Sequence, residues 1–456
     1  MTKNKYFYFT IVPIFLILSV VFYSFKDKRN FESAPPITSS SNHLLKGFDR
    51  YPCSETTAPI TFGTNFKRQC VDNYIVLGNS KKGPFGYFHS VSDPGKRKIE
   101  EIEEIIIIEQ NFENLGAMEE VIKDSSGNTT KVIVDKSPEK KQQLANRILA
   151  QNPDIIVGIE VKDIQTAQDF VKNYLNDLYQ PLLIEGNDER GIDVSFFIKK
   201  DLPLDIEIQS HKNISSSYKD ESSLSDAPNE PTIFSRDLPF LSLRPAGSNP
   251  RSKPLITIVA AHYKAQMPTP EGDKRAYERR SKQVIVTTKL INEFFNKNPT
   301  VPFLITGDFN NDIRPYEKQP TYPPPTKQEK TYVFEFTPFY KDLGLVDAFE
   351  LNSPENAIPK DRRGTHYYFE KIEFPDGTYS NEPVLSQEQL DGLLVNNNLK
   401  KYVVSSSIFT DLDSNGKPLP LPTKPEEVEK RSSDHDGSKL VIKFKKMLND
   451  YQKIKD

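Results

Sequence analysis

The chain has 456 residues and a formal net charge of −3 at pH 7, with 60 Lys and Arg residues against 63 Asp and Glu residues. This length exceeds that of a usual single domain, so one large domain with appendages fits it. The near balance of charge excludes the global basic field that nucleic-acid-binding proteins often carry.

The first feature along the chain is an uncharged, largely apolar stretch over Tyr6–Phe25. Twenty helical residues span about 30 Å, the thickness of the hydrocarbon core of a bilayer. Aromatic residues gather at both ends, as at membrane interfaces, and the following residues offer no small-residue cleavage site. We expect residues 1–26 to be an uncleaved membrane anchor, with a cleaved signal and a secreted protein as the alternative.

Residues 27–46 are rich in Ser, Pro and Asn and predict a tether. Residues 47–100 form a lead-in segment with short β-like runs, which could add an edge element to the domain that follows. This segment holds the only two cysteines, Cys53 and Cys70. One disulfide in an oxidising compartment suits them, which favours an extracytoplasmic body, and two unpaired thiols are the alternative.

From residue 101 onward, short apolar runs typical of buried strands end in polar side chains. The run Ile105–Ile108 leads to Asn111, and the run 153–159 leads to Glu160, with a helix predicted over 142–150 between them. Sheets of α/β proteins commonly present their chemistry at strand ends. These two residues are therefore candidates for a site.

The second half of the chain repeats this pattern. A third strand ends in His262, and a fourth, over 301–306, precedes the Gly-Asp-Phe-Asn segment 307–310. Asp391 heads a fifth apolar run, and the Ser-Asp-His triplet 433–435 precedes a sixth. Carboxylates and amides that converge in this way suit a divalent cation with oxygen ligands, and magnesium is favoured.

Each of these residues alone has an ordinary structural explanation, such as a turn or strand cap, and it is their joint order that favours an active site. Two further patterns favour structural roles. His366 is interpreted as a substrate-loop or packing residue rather than a ligand. The basic residues of 274–282, at the start of an amphipathic helix, are expected mostly to form a solvated face.

In this order, the motifs resemble those of the endonuclease/exonuclease/phosphatase superfamily, the fold shared by pancreatic deoxyribonuclease, abasic-site endonucleases, neutral sphingomyelinases and inositol polyphosphate 5-phosphatases. The resemblance runs from Glu101 to Phe444. The chain departs from the family at Ile159, where Gln is usual, and at Gly392, where a bulkier side chain is usual. The matching segments are Asn-Phe-Glu-Asn-Leu (111–115), Arg-Gly-Ile-Asp-Val (190–194), Gly-Asp-Phe-Asn (307–310), Leu-Asp-Gly-Leu-Leu-Val (390–395) and Ser-Asp-His (433–435).

The resemblance implies a two-sheet, four-layer α/β sandwich over residues 101–448. It also implies a metal site in which Glu160, with Asn111 and Asp434, holds Mg²⁺, or Mn²⁺, against a phosphate oxygen. No other cofactor is implied.

The resemblance assigns the remaining candidates to catalysis. His435 would act as a general base or as an imidazolium that stabilises the phosphate, and Asp391 would fix its orientation. Asp308 would orient the attacking water or accept its proton, and the sequence does not decide between Asp308 and His435 as the base. Asn310 would donate to the developing phosphorane, and His262 would donate to the phosphate or protonate the leaving oxygen.

The implied function is metal-dependent, in-line hydrolysis of a phosphodiester by water, with a nuclease favoured. A membrane-proximal lipid or inositol phosphoesterase, similar to a sphingomyelinase, is the alternative within this chemistry. A catalytically silent binding module that keeps the fold is the alternative from another class. The expected partners are a phosphoester substrate, either nucleic acid or a lipid headgroup, and the membrane, and the expected state is a monomer.

Overall fold

The computed structural model describes residues 68–71, 74–80, 83–88, 97–123, 129–188, 190–214, 232–249, 252–266, 276–315, 334–359, 362–371 and 378–455. The expected anchor, the tether and Cys53 lie outside the described residues. Among the residues that are described, none of the helices combines the length and the apolarity needed to cross a bilayer.

The described part of the chain contains nineteen strands and seven α-helices. The strands are β1 (Arg68–Val71), β2 (Tyr74–Ser80), β3 (Gly83–Phe88), β4 (Ile105–Leu115), β5 (Met118–Lys123), β6 (Thr129–Val134), β7 (Ile155–Val161), β8 (Tyr179–Leu183), β9 (Asp193–Lys199), β10 (Leu204–Gln209), β11 (Phe240–Pro245), β12 (Ile256–His262), β13 (Phe303–Asp308), β14 (Val346–Asp347), β15 (His366–Glu370), β16 (Val384–Glu388), β17 (Asp391–Val395), β18 (Val403–Phe409) and β19 (Gly437–Ile442). The helices are α1 (Pro138–Ala150), α2 (Ile164–Tyr174), α3 (Tyr277–Lys297), α4 (Thr337–Lys341), α5 (Asn397–Lys400), α6 (Pro425–Glu429) and α7 (Phe444–Lys455).

Two large mixed sheets form the centre of the molecule. One has the strand order β1-β2-β3-β10-β11-β12-β13-β17-β14, and the other has the order β18-β19-β4-β7-β9-β8. Two hairpins, β5–β6 and β15–β16, form separate small sheets. Strands β1–β3 of the lead-in segment form one edge of the nine-stranded sheet, because β3 pairs with β10.

Three apolar cores divide the molecule into four layers. The first lies between the two sheets and contains Ile107, Val157, Ile258 and Leu393 among others. The second packs α3 and α4 against the outer face of the nine-stranded sheet, and the third packs α1 and α2 against the outer face of the six-stranded sheet. The arrangement of helices, sheet, sheet and helices is the predicted four-layer sandwich.

Local sequence signals set where the two outer helices begin. Ser137 caps α1 by accepting a hydrogen bond from the backbone of Lys140 at 3.3 Å, and Pro138 occupies the first turn. Asp163 caps α2 by accepting from the backbone of Thr166 at 2.7 Å. These caps fix the starts of the helices that precede and follow β7 in the chain, and β7 is the strand that carries Glu160.

The predicted solvated face at the start of α3 is wrong for its described basic residues. Arg279, Arg280 and Lys282 are 5%, 1% and 4% exposed. Arg280 pairs with Glu335 at 2.7 Å, and Arg279 donates to the backbone carbonyl of Ile233 at 2.9 Å. These charges are buried because the loops that cover α3 supply their acceptors.

Candidate active site

The register of the nine-stranded sheet places three predicted site residues side by side. β12 and β13 are parallel, with His262 opposite Asp308. β17 runs antiparallel to β13 and begins at the same edge, so Asp391 lies opposite Asp308. All three side chains are buried.

The six-stranded sheet delivers the other candidates to the same end of the sandwich. β4 and β7 are parallel and carry Asn111 and Glu160 at their carboxyl ends, while His435 lies two residues before β19, which pairs antiparallel with β4. Two hydrogen bonds then join the sheets. Nδ2 of Asn111 donates to Oδ2 of Asp308 at 3.1 Å, and Nδ1 of His435 lies 2.7 Å from Oδ2 of Asp391.

Asp308 is held by amide groups on both of its oxygens. Besides Asn111, the side chain of Asn310 donates to Oδ2 at 3.1 Å and the backbone of Asn310 donates to Oδ1 at 2.8 Å. Burial raises the pKa of Asp308; the His435 charge lowers it and the carboxylates of Asp391 and Glu160 raise it, with a net value of about 7. Asp308 is therefore a carboxyl group that can exchange a proton near neutral pH.

His435 is held in its charged form by its neighbours. Burial opposes the imidazolium, but the carboxylates of Asp391, Asp434 and Asp308 outweigh burial and hold the pKa of His435 well above its usual value. Its Nε2 atom lies 4.0 Å from Oδ1 of Asp434. His435 is therefore a cation at neutral pH, with Nε2 facing the site.

A buried acid that the sequence did not single out stands behind this pair. Glu109 is fully buried, and burial together with the Asp391 carboxylate raises its pKa well above its usual range. The oxygen of Asp391 that His435 does not use, Oδ1, has no other hydrogen-bond partner among the described residues. A neutral Glu109 is placed to donate to it.

Glu160 and His262 form the other side of the site. The backbone of Glu160 has a φ of 64°, and its Oε2 accepts from the backbone of Asn114 at 3.0 Å. Nε2 of His262 lies 3.7 Å from Oε1 of Glu160 and 3.7 Å from Oδ2 of Asp308. Burial and the nearby guanidinium groups of Arg236 and Arg190 hold the pKa of His262 well below its usual value, so this histidine is neutral.

Possible metal ligands fall into two groups. Glu160, His262 and Asp308 form one, and His366, Asp434 and His435 form the other. The predicted set of Glu160, Asn111 and Asp434 is thus divided between them. Asn111 is an amide rather than an acidic or histidine ligand, and its Oδ1 accepts from the backbone of Glu113 at 2.9 Å.

The donor atoms fit a hard divalent cation. Oε1 of Glu160 faces the site, and the carboxylate of Asp391 lies near that of Asp308. Negative charge therefore accumulates around Asp308, a carboxyl group that burial already makes hard to ionise. A divalent cation would offset this repulsion, and carboxylate oxygens with water are what Mg²⁺ accepts.

Neither a model of a known protein family nor a curated protein matches the sequence. Solved structures do match over most of the chain. TDP2 from C. elegans is 15% identical with a TM-score of 0.41 and covers 74% of this chain and 75% of its own. An endonuclease/exonuclease/phosphatase family protein from Bacteroides thetaiotaomicron is 12% identical with a TM-score of 0.41, covering 74% and 97%. The human Nocturnin catalytic domain is 14% identical with a TM-score of 0.42, covering 75% and 94%.

The chain has the two-sheet, four-layer α/β sandwich that the motifs predicted. The two mixed sheets packed face to face confirm the fold class predicted from the motifs, and the polar strand ends described above lie at one edge of this sandwich. Similarity at this level does not extend to substrate or activity, which depend on the site itself.

The two departures from the motifs of the endonuclease/exonuclease/phosphatase superfamily have a packing explanation. A Cβ atom at Gly392 would lie 2.3 Å from Cδ1 of Ile313 and 2.8 Å from Cε2 of Phe309, so neighbouring side chains fill the space of a larger residue. Ile159 is fully buried in the core between the sheets. Packing therefore explains which residue stands at each of these two positions.

Two residues at the site lie outside the strand-end pattern. His366, interpreted from the sequence as a substrate-loop or packing residue, lies against His435, with ring centroids 4.7 Å apart and ring planes inclined by 47°. Arg236 lies in a segment without a recognised motif, and it donates to the carbonyl of Tyr263 at 3.4 Å, the carbonyl that also accepts from Asn310 at 3.0 Å. Neither residue follows an apolar strand, so the pattern that found the others could not find them.

Proposed function

We propose that this protein is a metal-dependent phosphodiesterase that uses water as the nucleophile, with nucleic acid as its substrate. The observation that supports this most is the pairing of Asp308, a carboxyl group that titrates near neutrality, with His435, an imidazolium fixed by Asp391. A proton acceptor and a fixed cation in one site are what phosphoryl transfer to water requires.

Asp308 is the base in this proposal. Its oxygens are fixed by Asn111 and Asn310, and its pKa of about 7 lets it accept a proton from water at neutral pH. His435 already carries its proton and donates through Nε2 to a phosphate oxygen, which stabilises the charge that develops there. The proposal therefore takes Asp308, rather than His435, as the base, a choice that the sequence left open.

The other residues position the phosphate and neutralise its charge. His262, neutral and with its Nε2 facing Glu160 and Asp308, serves as a hydrogen-bond donor at the phosphate or the leaving oxygen. Glu160, with Asn111, would hold Mg²⁺ or Mn²⁺, while Asp434 belongs to the other group of possible ligands. When bound, such an ion neutralises the phosphate and stabilises the charge on its oxygens.

The test is a substrate panel with the full-length protein in detergent: DNA, RNA, sphingomyelin and phosphoinositides, each with and without Mg²⁺. We expect hydrolysis of nucleic acid only when Mg²⁺ is present. Glu160→Gln should abolish most of it, and Glu119→Gln, which changes an exposed glutamate paired with Lys131 on a hairpin, should have no effect.

Other results of the same panel would separate the alternatives. Hydrolysis of lipids alone would keep the chemistry but replace the substrate by a membrane phosphoester. No hydrolysis of any substrate would indicate a silent binding module. Single turnover in ¹⁸O-labelled water should place the label in the product phosphate, and its absence would contradict attack by water.

We also propose that residues 1–26 anchor a monomeric, extracytoplasmic enzyme in the membrane. A Cys53–Cys70 disulfide would then join the start of the lead-in segment to its strand β1, in which Cys70 pairs with Ile75 of β2. On the chain-entropy model a link of this length stabilises by about 3 kcal/mol.

Non-reducing mass spectrometry of membrane-extracted protein should find one Cys53–Cys70 peptide pair and an intact N-terminus. Two alkylatable thiols would instead indicate a cytoplasmic body. A mature chain that starts after Phe25 would make the anchor a cleaved signal.

A further inference from the structure

His366 brings a second imidazole to the Asp434 side of the site. It is the first residue of β15, and its backbone forms an isolated antiparallel bridge with that of His435. The two rings lie with centroids 4.7 Å apart and planes inclined by 47°. Two nitrogen ligands are thus neighbours at one point of the site.

The ligand atoms of this group converge on a common centre. Nε2 of His366 lies 3.7 Å from Oδ2 of Asp434, and Nε2 of His435 lies 4.0 Å from Oδ1 of Asp434. The ligand atoms all lie within 4.8 Å of one another. Ligands at roughly 2.0–2.2 Å from a tetrahedral Zn²⁺ are themselves separated by about 3.4 Å, so only small shifts would close them around an ion.

Surrounding hydrogen bonds hold the group in place. Asp391 accepts a hydrogen bond from Nδ1 of His435, which leaves Nε2 as the atom that faces Asp434. A carboxylate on the far nitrogen is how proteins orient histidines that bind metals. Thr365, the residue before His366, links the start of β15 to Asp391 and Asp436. Its Oγ1 accepts from the backbone N–H of Asp391, and its backbone carbonyl accepts from the backbone N–H of Asp436.

The site is open to solvent on one side, since the side chains of His366 and Asp434 are 21% and 37% exposed. Two imidazoles and one carboxylate form a more nitrogen-rich set than the other group, in which Glu160 and Asp308 supply two carboxylates and His262 one imidazole. Imidazole nitrogen suits Zn²⁺, Co²⁺ and Ni²⁺, whereas Mg²⁺ takes oxygen.

We propose that His366, Asp434 and His435 form a binding site for a transition-metal ion such as Zn²⁺ or Co²⁺. An ion bound there displaces the proton from Nε2 of His435 into solvent and so inhibits hydrolysis, because Nε2 can no longer donate to the phosphate. The inhibition rests on the proposed function, and the metal site itself does not.

The binding test uses Co²⁺ as a spectroscopic probe on the full-length protein in the presence of excess Mg²⁺. We expect visible absorption bands of a low-symmetry Co²⁺ site at one equivalent. In His366→Asn and Asp434→Asn these bands should be lost, or the affinity for Co²⁺ should fall at least about tenfold. Even outer partners of a metal site change its affinity on that scale. Glu160→Gln and His262→Asn, which alter the other group, should keep the bands.

His366→Cys makes the test independent of a folding defect. A thiolate is also a good ligand for Co²⁺, so this variant should bind the ion with a new sulfur-to-cobalt charge-transfer band. An unchanged spectrum in His366→Asn would overturn the proposal, as would bands that vanish in His262→Asn but persist in His366→Asn.

The inhibition is tested on the substrate that the panel identifies, with Mg²⁺ held constant. Zn²⁺ should inhibit the wild-type protein, and the concentration for half inhibition should rise at least about tenfold in His366→Asn relative to that variant's own activity without Zn²⁺. Equal inhibition of both proteins would refute this half of the proposal. If the protein hydrolyses nothing but Co²⁺ binding still depends on His366, the proposed function fails and the metal site stands.

Discussion

Asp308 and His435 both have raised pKa values, with opposite consequences for charge. Burial makes the aspartate hard to ionise, whereas three carboxylates keep the histidine ionised in spite of its burial. A base must lose its proton to act and a cation must keep its own. The two shifts therefore define a pH window in which both are in their active forms.

This window predicts a bell-shaped dependence of kcat/KM on pH. The rate should rise with pH as Asp308 deprotonates, at or below its metal-free pKa of about 7, because a bound cation favours the carboxylate. The rate should fall only when the pH passes the raised pKa of His435. Asp391→Asn removes the closest carboxylate, so its descending limb should shift to lower pH.

The measurement is a pH–rate profile of the wild-type protein and of Asp391→Asn. His435→Ala should lose about 10²–10⁴ in rate, and adding Asp391→Asn to it should cost little more, because the two act as a unit. A descending limb that stays in place in Asp391→Asn would show that this limb does not report His435.

Most residues of the candidate site could be predicted individually, because each follows or precedes an apolar strand. Their partners could not. Glu109 lies two residues before Asn111 in β4, but its relation to Asp391 exists only once the two sheets pack face to face. Likewise, the sequence cannot show that Asn111 directs its amide nitrogen to Asp308 on the other sheet.

Among the elements, β12 and β13 leave no room for a side chain between them just before the site. Gly307 has a φ of 132°, and a Cβ atom there would lie 2.0 Å from the backbone oxygen of Ala261. No side chain can stand at this distance, and the residue that follows is Asp308. The glycine therefore sets how near Asp308 comes to His262.

We expect Gly307→Ala to force β12 and β13 apart. The strained backbone alone costs about 1–3 kcal/mol, and the clash adds to it, so both the free energy of unfolding and the activity should fall. Gly344→Ala is the matched control, because Gly344 has a φ of 62° but nothing within 4 Å of an added Cβ atom. It should lose only about 1–2 kcal/mol and retain activity.

Urea unfolding of both variants decides the point. Equal losses would mean that the left-handed backbone, rather than the contact with Ala261, requires glycine at position 307.

The elements themselves were predicted well where periodicity governs them. The strands that carry Asn111, Glu160 and His262 and the helix over 142–150 are all present. The prediction failed at α3, because a helical pattern shows which positions share a face but not that distant loops will supply acceptors for Arg279 and Arg280.

The molecule as a whole carries buried acids to which the proposed chemistry assigns no role, and they link its stability to pH. Asp193, the first residue of β9, is 3% exposed, and burial raises its pKa to about 8 although Gly186 donates to it at 2.6 Å. Unfolded, this group titrates near pH 3.9. Between these values the native protein holds a proton that the unfolded chain has lost.

Stability rises with pH only where the unfolded state binds more protons. Here the native state binds more, so this group should make the free energy of unfolding fall as the pH increases from about 4 to about 8. Asp193→Asn, which is neutral at every pH, should flatten the dependence. Chemical denaturation at a series of pH values measures this, and an identical slope in both proteins would assign the dependence to other groups.

The pairing of β4 with β19 has a consequence for the newly made chain. β4 is the first strand of the six-stranded sheet and β19 is the last, and the segment just before β19 supplies Asp434 and His435. A ribosome releases β4, β7, β12 and β13 long before it releases β19. During that interval Asp391 has no imidazole partner, so a nascent or prematurely terminated chain that stops before His435 should be unable to cleave phosphoesters. On the proposed function, the order of synthesis thereby keeps the enzyme inactive until its fold can be completed.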